Sequence, residues 1–542
     1  MRKTKTLLAL LTILATLGVV QARKNDAVIW TDYDFKNIPE PKVRDVGYYD
    51  YFFKTELIEP VKRGTDIPRW IRHAVGSPRQ ASNVNALDEV PDSSWFTNRH
   101  ALRRMTIEQL VKGPNQGNPP DFVNAVITRA KLEGVTPGLQ LTDATGQSYL
   151  IKFDNKDYPE LQSGAEVIST KILYASGYNV PENYIAYIDP ETLTIKPGVE
   201  IHEGKKTHAM TREDLARILQ NAARRPDGRY RVLASKILKG SPKGPFAYVG
   251  LRSDDPNDLI PHEHRRELRG LRVIASWINH WDLKEMNTLD MYVDENGRKF
   301  LRHYFIDFGS SLGGGRFPME YSRGREYVFD VGNMMKELFT LGFAVTPEEK
   351  TAALVSPEMG IFSASDFDPG GWKTSFQMAP FENMTQRDAA WGTRIILSFS
   401  EDELRNIIGA AEYSNPKAAE YLLRTLLERR QQIASHWLKD ASPLANFAVA
   451  KSANGIELGF EDLLATQDLA AARAEYRYEF SSNGHWSESM TTAVPKIALG
   501  DAPGASTDIR IWCVRDRKAS RPVLVSIRSK SGGYGIARID RS

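Results

Sequence analysis

Runs of alternating apolar and polar residues indicate a group of β-strands between about residues 120 and 190. The alternation is interrupted once by apolar residues three and four positions apart, the spacing of a helix with a buried face. In chain order the predicted elements are strands at 123–132, 139–142 and 148–153, a helix from Ser163 to Gly177, and a strand at 184–188. This order predicts a small β-rich region that carries one helix.

The start of that helix reads Ser163-Gly-Ala-Glu166, which is the spacing of a capping box. In a capping box the first side chain accepts from the backbone of the fourth residue, and the fourth side chain returns the contact. The sequence therefore predicts a structural role for Glu166 at the helix start. Gly177 is expected to end the helix in a left-handed conformation.

Helical spacing dominates from about 331 to 439, and short strand patterns return in the last hundred residues. A cluster of turn-forming residues at 113–120 marks a boundary before the first strand. The predicted fold class is α+β. The predicted organisation is a signal peptide at 1–22, a wrapping extension at 23–120, a β-rich lobe at 121–190, a helical lobe at 191–440 and a β-rich region at 441–542.

The amino terminus carries the pattern of an export signal. Residues 2–5 read RKTK, an apolar run follows from Leu7 to Val20, and small residues stand at the expected cleavage positions. The run is shorter than the roughly 18 residues that a membrane span needs. We therefore expect a periplasmic or extracellular chain with no transmembrane segment after signal removal. An uncleaved membrane anchor is the alternative.

Composition limits the function only broadly. The formal net charge of the 542 residues is +3, so no overall basic balance indicates a nucleic-acid partner. The single cysteine excludes an intramolecular disulfide, a zinc site of four cysteines and a Cys-x-x-Cys redox pair. The basic run of Arg265, Arg266, Arg269 and Arg272 is interpreted as a solvated helix face.

Two short segments carry side chains suited to phosphate chemistry, WINHWDLKEMN at 277–287 and IDFG at 306–309. Phosphoryl transfer needs one carboxylate to orient the accepting hydroxyl, and an amide and a second carboxylate to hold Mg²⁺ on the phosphates. Asp282, Asn287 and Asp307 have the residue types for these roles, and oxygen ligands suit that cation.

In this order the two segments resemble the catalytic loop and the metal-binding Asp-Phe-Gly loop of protein kinases. Between them, two strand patterns flank Asn296-Gly297, the turn of a tight hairpin. The looser features elsewhere are similar to atypical kinases of the HipA and CotH kind, over about 123–440. The resemblance implies a bilobal protein-kinase-like fold with a β-rich N-lobe and a helical C-lobe.

The resemblance also implies a nucleotide site in the β-rich lobe. Lys152 resembles the third-strand lysine that contacts the phosphates of ATP, and Glu166 resembles the glutamate that pairs with it. The loop Gly134-Val-Thr136-Pro-Gly138 stands where a glycine-rich loop covers the phosphates, although it lacks the usual spacing. Its backbone N–H groups suit a phosphate-binding nest.

For the catalytic loop, the resemblance implies that Asp282 orients the acceptor hydroxyl and that Lys284 neutralises the transferred phosphate. Asn287 and Asp307 are the implied ligands of Mg²⁺, and ATP is the implied cofactor. The expected function is that of an exported atypical kinase acting on a protein or small-molecule hydroxyl. Two alternatives stay open: an inactive kinase-fold binding or envelope scaffold, and a nucleotidyl (AMP) transferase on the same fold.

Overall fold

A computed structural model describes residues 28–131, 138–203, 206–315, 320–340, 354–438, 441–452, 455–467, 469, 473–482, 485–500, 506–530 and 533–541. The predicted signal peptide at 1–22 lies outside these ranges, as do Gly134 and Thr136 of the predicted phosphate-covering loop. Within them the protein is a mixed α and β structure. A β-rich region, a helical region and a second β-rich region follow one another along the chain.

A six-stranded sheet forms the first β-rich region. Across the sheet the strands lie in the order Asn183–Ile188, Tyr230–Lys236, Ser148–Phe153, Gly138–Thr142, Val126–Lys131 and Thr194–Ile195. Neighbouring strands are antiparallel except for the last pair, which is parallel. Alternation along the third strand in this order places Ile151 and Phe153 in the sheet core. Lys152 therefore points to the opposite face.

The sheet extends further along the chain than the lobe predicted at 121–190. The strand Tyr230–Lys236 lies inside the sheet, and its residues Val232, Leu233 and Ala234 are buried. A short continuous apolar run of this kind suits a strand covered on both faces. The boundary predicted at 190 is therefore wrong, because part of 191–440 completes the sheet.

The long helix of this region, Leu161–Ser176, has nearly every side chain buried. The capping box predicted at its start is wrong. Ser163 donates from its backbone N–H and its hydroxyl to Asp154, at 2.8 and 2.5 Å, because a buried carboxylate outside the helix takes both contacts. Glu166 likewise has partners outside the helix. Gly177 ends the helix with a φ of 117°, which confirms the predicted left-handed ending.

A hairpin joins the two kinase-like segments, with strands Thr288–Glu295 and Arg298–Phe305. Asn296 and Gly297 form its turn with φ values of 53° and 75°, as a tight Asn-Gly turn requires. The first residue of one strand pairs with the last residue of the other. The hairpin therefore brings the segments on either side of it together.

Between 331 and 437 the regular elements of the described residues are helices, in agreement with the pattern predicted for about 331–439, and one further helix precedes the hairpin. They are Arg266–Trp277, Val331–Phe339, Ala379–Glu382, Gln386–Leu397, Glu401–Gly409 and Pro416–Trp437. Gly270 lets two of them approach closely, because a Cβ there would lie 2.6 Å from the ring of Trp391. Smaller elements in the middle of the chain are Pro190–Thr192, Glu200–Glu203, Lys206–Ala209, Arg212–Leu219, Ser241–Pro242, His262–His264 and Glu285–Asn287.

The basic run at the start of the first of these helices is not solvated. Arg265, Arg266 and Arg269 are all buried. Arg266 lies 2.7 Å from Asp88 and 3.1 Å from Asp388, and all three side chains are at most 1% exposed. The prediction of a solvated face is wrong because carboxylates from remote segments neutralise the guanidinium groups inside the protein. We call Arg266, Asp88 and Asp388 the closed cluster.

The segment before the sheet is largely irregular, with short helices at Tyr48–Phe53, Lys54–Ile58, Glu59–Thr65, Ile67–Ala74 and Ile107–Lys112. Hydrogen bonds tie it to the hairpin, among them two between backbone groups. The N–H of Ile38 donates to the carbonyl of Lys299 at 2.9 Å, and the N–H of His303 donates to the carbonyl of Ser94 at 3.3 Å. This segment therefore packs beside the hairpin.

The last hundred residues form two antiparallel sheets. Their strands are Leu444–Ser452, Gly455–Asp462 and Lys496–Gly500 in one, and Glu475–Ser482, His485–Trp486, Met490–Thr492, Ser506–Arg515, Lys518–Ala519, Val523–Lys530 and Gly533–Asp540 in the other; a short helix spans Leu463–Thr466. The N–H of Ile539 donates to the carbonyl of Ala86 at 2.8 Å, which ties this region to the start of the chain. Within the described ranges, none of the helices has the length and apolarity to span a bilayer.

Candidate functional site

Lys152 joins the sheet to two carboxylates from other parts of the chain. Its ammonium nitrogen, Nζ, lies 2.7 Å from Oε1 of Glu166 and 2.8 Å from Oδ1 of Asp307. The lysine comes from a strand, Glu166 from the helix Leu161–Ser176, and Asp307 from the segment after the hairpin. We call these three residues the open cluster, because the Asp307 side chain remains 49% exposed.

Glu166 is held in place by both of its carboxylate oxygens. While Oε1 accepts from Lys152, Oε2 accepts from the backbone N–H of Phe308 at 2.9 Å and lies 3.4 Å from the side-chain nitrogen of Asn183. The side chain is only 2% exposed. Glu166 therefore fixes the position of the Asp-Phe-Gly segment as well as that of the lysine.

Electrostatics in the open cluster favour the charged lysine. Burial alone would lower the pKa of Lys152, but Asp307 and Glu166 outweigh burial and hold that pKa above its usual value. The Lys152 ammonium lowers the pKa of Asp307. Burial raises the pKa of Glu166. Asp307 is therefore the carboxylate of this pair that favours the ionised form.

The backbone at Asp307 has a φ of 64°, a left-handed conformation that is uncommon for a residue other than glycine. Such conformations persist where the surrounding structure imposes them, and they concentrate at functional sites. Here the following residue supplies the constraint, because Phe308 is fully buried and its ring lies 5.4 Å from that of His280. The geometry presents the Asp307 carboxylate to Lys152 and to solvent.

The segment at 282–287 forms a compact loop beside this cluster. The carboxylate of Asp282 lies 2.7 and 3.0 Å from Nζ of Lys284. The side-chain nitrogen of Asn287 donates to the Asp282 carbonyl at 2.7 Å and lies 3.2 Å from its carboxylate. The N–H of Ile306 donates to the carbonyl of Asn287 at 3.0 Å. This backbone contact joins the loop to the residue before Asp307.

His280 supports the loop through its backbone, and its imidazole is buried. Its side chain is fully buried, and burial lowers its pKa to about 4. The imidazole is therefore neutral at physiological pH. Its backbone N–H donates to the carbonyl of Ala275 at 2.8 Å, which fixes the loop to the end of the preceding helix.

The donors available to a cation at this site are oxygens. Because Asn287 commits its side-chain nitrogen to Asp282, its amide oxygen is the atom left for a metal. Asp307 adds a half-exposed carboxylate. The residues that the structure describes contain no cluster of three or more His, Cys, Asp or Glu side chains suited to a metal. This donor set fits Mg²⁺, which binds through one or two protein oxygens together with substrate phosphates.

Of the predicted loop over the phosphates, only Gly138 belongs to the described residues. Gly138 begins a strand and pairs with Lys152 across the sheet. A Cβ at Gly138 would lie 3.1 Å from the carbonyl oxygen of Ile151, so a larger residue would crowd the neighbouring strand. The position of Gly138 is therefore adjacent to the open cluster.

Sequence reasoning missed the residues that support the loop from the other side. Glu285 is buried and accepts from Arg44, and Lys54 lies 3.7 Å from it. The hydroxyls of Tyr51 and Tyr248 are buried without a hydrogen-bond partner among the described residues, and burial raises their pKa values. No local pattern links Arg44 to a glutamate more than two hundred positions away. The aromatic run at 48–53, which includes Tyr51, is the sequence feature that points to a packed segment here.

Comparison with known proteins gives distant structural likenesses. No protein-family model matches the chain, and no curated protein matches it. Among solved structures, the Helicobacter pylori proinflammatory kinase CtkA is 12% identical with a TM-score of 0.30, covering 59% of this chain and 99% of that one. A Golgi casein kinase with Mn/ADP bound is 10% identical with a TM-score of 0.24, covering 75% and 97%. At these TM-scores neither likeness carries weight, and the site assignment rests on its own contacts.

Proposed function

We propose that this protein is an atypical kinase that transfers the γ-phosphate of Mg·ATP to a hydroxyl group. The observation that carries the proposal is the open cluster, in which Lys152 contacts both Glu166 and Asp307. A lysine, a helix glutamate and a metal-binding aspartate assembled in this way form the phosphate-binding machinery of kinases. The sheet and the helical region would form the two lobes of a fold of the HipA and CotH kind.

Each polar side chain of the site has a role in this proposal. Lys152 binds the phosphates, with Gly138 beside it, and Glu166 holds the lysine in place. The oxygens of Asn287 and Asp307 would hold Mg²⁺, which would supply positive charge against the phosphates when bound. The contacts of Lys152 with Glu166 and Asp307, and the backbone contact between Asn287 and Ile306, support these assignments.

Transfer itself depends on the loop at 282–287. Asp282 accepts the proton of the acceptor hydroxyl and orients its oxygen toward the γ-phosphate. Lys284 lies against that carboxylate and supplies a cation for the phosphate as it moves. The hydroxyl oxygen forms the new bond to phosphorus, the bond to the β-phosphate oxygen breaks, and ADP leaves with that electron pair.

The acceptor in this proposal is a protein or small-molecule hydroxyl outside the cytoplasm, because the amino terminus has the pattern of an export signal. Two alternatives use the same site differently. A scaffold would bind nucleotide without turnover, and a nucleotidyl transferase would move the AMP portion instead. The paired lysine and the half-exposed aspartate favour an active site over a scaffold.

Thermal unfolding of the purified protein with Mg·ATP, with ATP and a chelator, and without nucleotide tests the site. A ligand at about 100 times its dissociation constant stabilises the folded state by about 2.7 kcal/mol, which shifts the midpoint by several degrees. We expect a shift that needs Mg²⁺ and is lost in Asp307→Asn. The matched control is Asp294→Asn, at an exposed position in the hairpin.

Label transfer then separates the three functions. Transfer from γ-labelled ATP that Asp282→Ala lowers by about a hundredfold or more, with little change in nucleotide affinity, supports the kinase. Transfer from α-labelled ATP would identify a nucleotidyl transferase. A midpoint shift with Mg·ATP but no transfer of either label would support the binding scaffold. Absence of a shift in the folded protein would contradict the nucleotide site itself.

A further inference from the structure

The segment before the sheet carries an unusual apolar stripe on its outer surface. In the helix Ile67–Ala74, apolar residues stand at positions 67, 70, 71 and 74, which lie on one face of a helix. A surface helix normally buries such a face against the core. Here Ile67, Trp70 and Ile71 are 69%, 63% and 59% exposed, and no residue of this helix is buried.

The preceding helical turns also expose apolar side chains. The buried side of that stretch is formed by Tyr51 and Glu56, while Phe53 and Val61 are exposed. The helices therefore pack on the protein by one face and present apolar side chains on the other. Several exposed apolar residues on one helix face, as in Ile67–Ala74, are typical of an interaction site, whereas isolated exposed apolar residues are not.

The charges around the stripe are predominantly basic. The cations between residues 54 and 79 are Lys54, Lys62, Arg63, Arg69, Arg72 and Arg79. Lys54 lies 3.7 Å from Glu285 and Lys62 lies 3.2 Å from Glu59, so the positive border is formed mainly by the arginines. The three carboxylates of the same stretch are partly withdrawn from the surface. Glu56 and Glu59 are buried, and Asp66 accepts from the N–H of Arg69 at 2.9 Å as a helix cap. The outer surface therefore combines an apolar stripe with a positive border.

We propose that this surface docks the protein on an anionic lipid bilayer. A helix with an apolar face that includes tryptophan, and with arginines beside it, is typical of segments that lie in the membrane interface. The apolar side chains of Ile67, Trp70 and Ile71 enter the boundary between headgroups and acyl chains. Arg72 faces the phosphate groups, whose negative charge complements the positive border. This inference is independent of the proposed kinase activity.

Charge also argues against the other possible occupants. A two-fold interface between two copies would place the same surface opposite itself, so the arginines of one copy would face those of the other. The segment at 1–27 carries five basic residues and one acidic residue, and would bring more positive charge to the same border. An anionic bilayer supplies the opposite charge.

Sedimentation of the full chain with vesicles tests the proposal. The probes are vesicles of phosphatidylcholine alone and vesicles with equal parts of phosphatidylcholine and phosphatidylglycerol. We expect binding to the anionic vesicles that added salt weakens, and little binding to the neutral ones. The double substitution Trp70→Glu and Ile71→Glu should lower the bound fraction by about tenfold or more. Leu259→Glu, at a position that is 74% exposed elsewhere, is the matched control.

A charge reversal gives a second, independent arm. Arg72→Glu should weaken binding to the anionic vesicles severalfold and leave the weak binding to neutral vesicles unchanged. Arg424→Glu, whose side chain is 65% exposed on a distant helix, is the control. If the double variant has a lowered thermal midpoint, this reversal and the salt dependence of the unsubstituted protein decide the question.

Three results would overturn the proposal. Unchanged binding of the double variant would place the lipid contact elsewhere, for instance in the apolar run at 7–20. Equal binding to both kinds of vesicle would exclude recognition of anionic lipid. Self-association without lipid that the double variant abolishes would identify a second copy as the occupant of the stripe.

Discussion

Two ionic clusters in this protein join remote parts of the chain, and they differ in what they leave open. In the closed cluster, Arg266 lies between Asp88 and Asp388, and all three side chains are at most 1% exposed. In the open cluster the lysine is 25% exposed and the Asp307 side chain 49% exposed. The closed cluster satisfies its charges with protein groups, whereas the open cluster keeps a carboxylate accessible to a ligand.

The backbone shows the same difference. Asp388 is the third residue of a helix, where its side chain also completes an ordinary capping box with Thr385. Asp307 holds a left-handed φ of 64° in an irregular segment. Burial and regular structure together indicate a role in stability. Partial exposure and an uncommon backbone conformation indicate a role in binding.

The largest expected effect comes from breaking the closed cluster. Arg266→Met leaves two buried carboxylates short of a partner, so the free energy of unfolding should fall by about 3–5 kcal/mol. Denaturant unfolding of the variant and of the unsubstituted protein measures this loss. A change below about 1 kcal/mol would mean that the remaining arginines compensate and that the cluster is not a unit.

Breaking the open cluster should affect ligand binding more than folding. Lys152→Met should abolish the Mg·ATP stabilisation of about 2.7 kcal/mol expected at 100 times the dissociation constant. Without nucleotide the loss of stability should be smaller than for Arg266→Met, because Glu166 can take up a proton when its cation is removed. Unfolding with and without nucleotide checks both parts. If the variant keeps the Mg·ATP-dependent shift of the unfolding midpoint, Lys152 is not part of the nucleotide site.

A buried carboxylate without a paired cation extends the comparison to pH. Burial raises the pKa of Glu56 from 4.5 to about 7, and one of its oxygens has no hydrogen-bond partner among the described residues. Because the folded protein holds this proton more tightly, stability should decrease as pH rises from about 4.5 through 7. The expected loss is on the order of 2 kcal/mol.

Glu56→Gln should remove this part of the pH dependence. The thermal unfolding midpoints of the variant and of the unsubstituted protein are compared at pH 5 and at pH 8, which is about one unit above the pKa of Glu56 in the folded protein. Glu401→Gln, an exposed carboxylate, is the matched control. If the unfolding midpoint changes equally with pH in all three proteins, Glu56 does not titrate in this range.

The smallest effect on stability is expected at an ion pair whose side chains are exposed to solvent. Arg405 lies 3.0 Å from Glu401 and 2.6 Å from Glu420, and all three side chains are about half exposed or more. Water screens such contacts, so Arg405→Ala should leave the unfolding midpoint unchanged within error. A measurable fall would show that the number of partners matters as well as burial.

The sequence predicts the parts of the fold and site that depend on local pattern. Alternation located the strands around Lys152, and the Asn-Gly turn located the hairpin between Asn287 and Asp307. Those two features bring the open cluster together, so most of its members could be named in advance. The order of the strands across the sheet could not be predicted, because an apolar run at 230–236 does not show which strands it will lie between.

Long-range pairing accounts for the wrong predictions. Glu166 has the spacing of a capping residue, and only the folded chain shows that Lys152 and Phe308 bind its carboxylate instead. Arg266 and Arg269 resemble a solvated face because their carboxylate partners lie more than a hundred residues away. The contact between Arg44 and Glu285 is invisible for the same reason. Local spacing therefore identifies candidates but not their partners.

The contacts of Asp88 also bear on the order in which the protein is made. Its carboxylate lies 2.7 Å from Arg266, 3.0 Å from Arg387 and 3.5 Å from Arg541. A ribosome releases these partners one after another, and domains generally fold as they emerge. Asp88 therefore gains its full set of cations only after the final β-rich region has been synthesised. Until then the Asp88 carboxylate lacks one of its cations, so this part of the fold should be less stable than in the full chain.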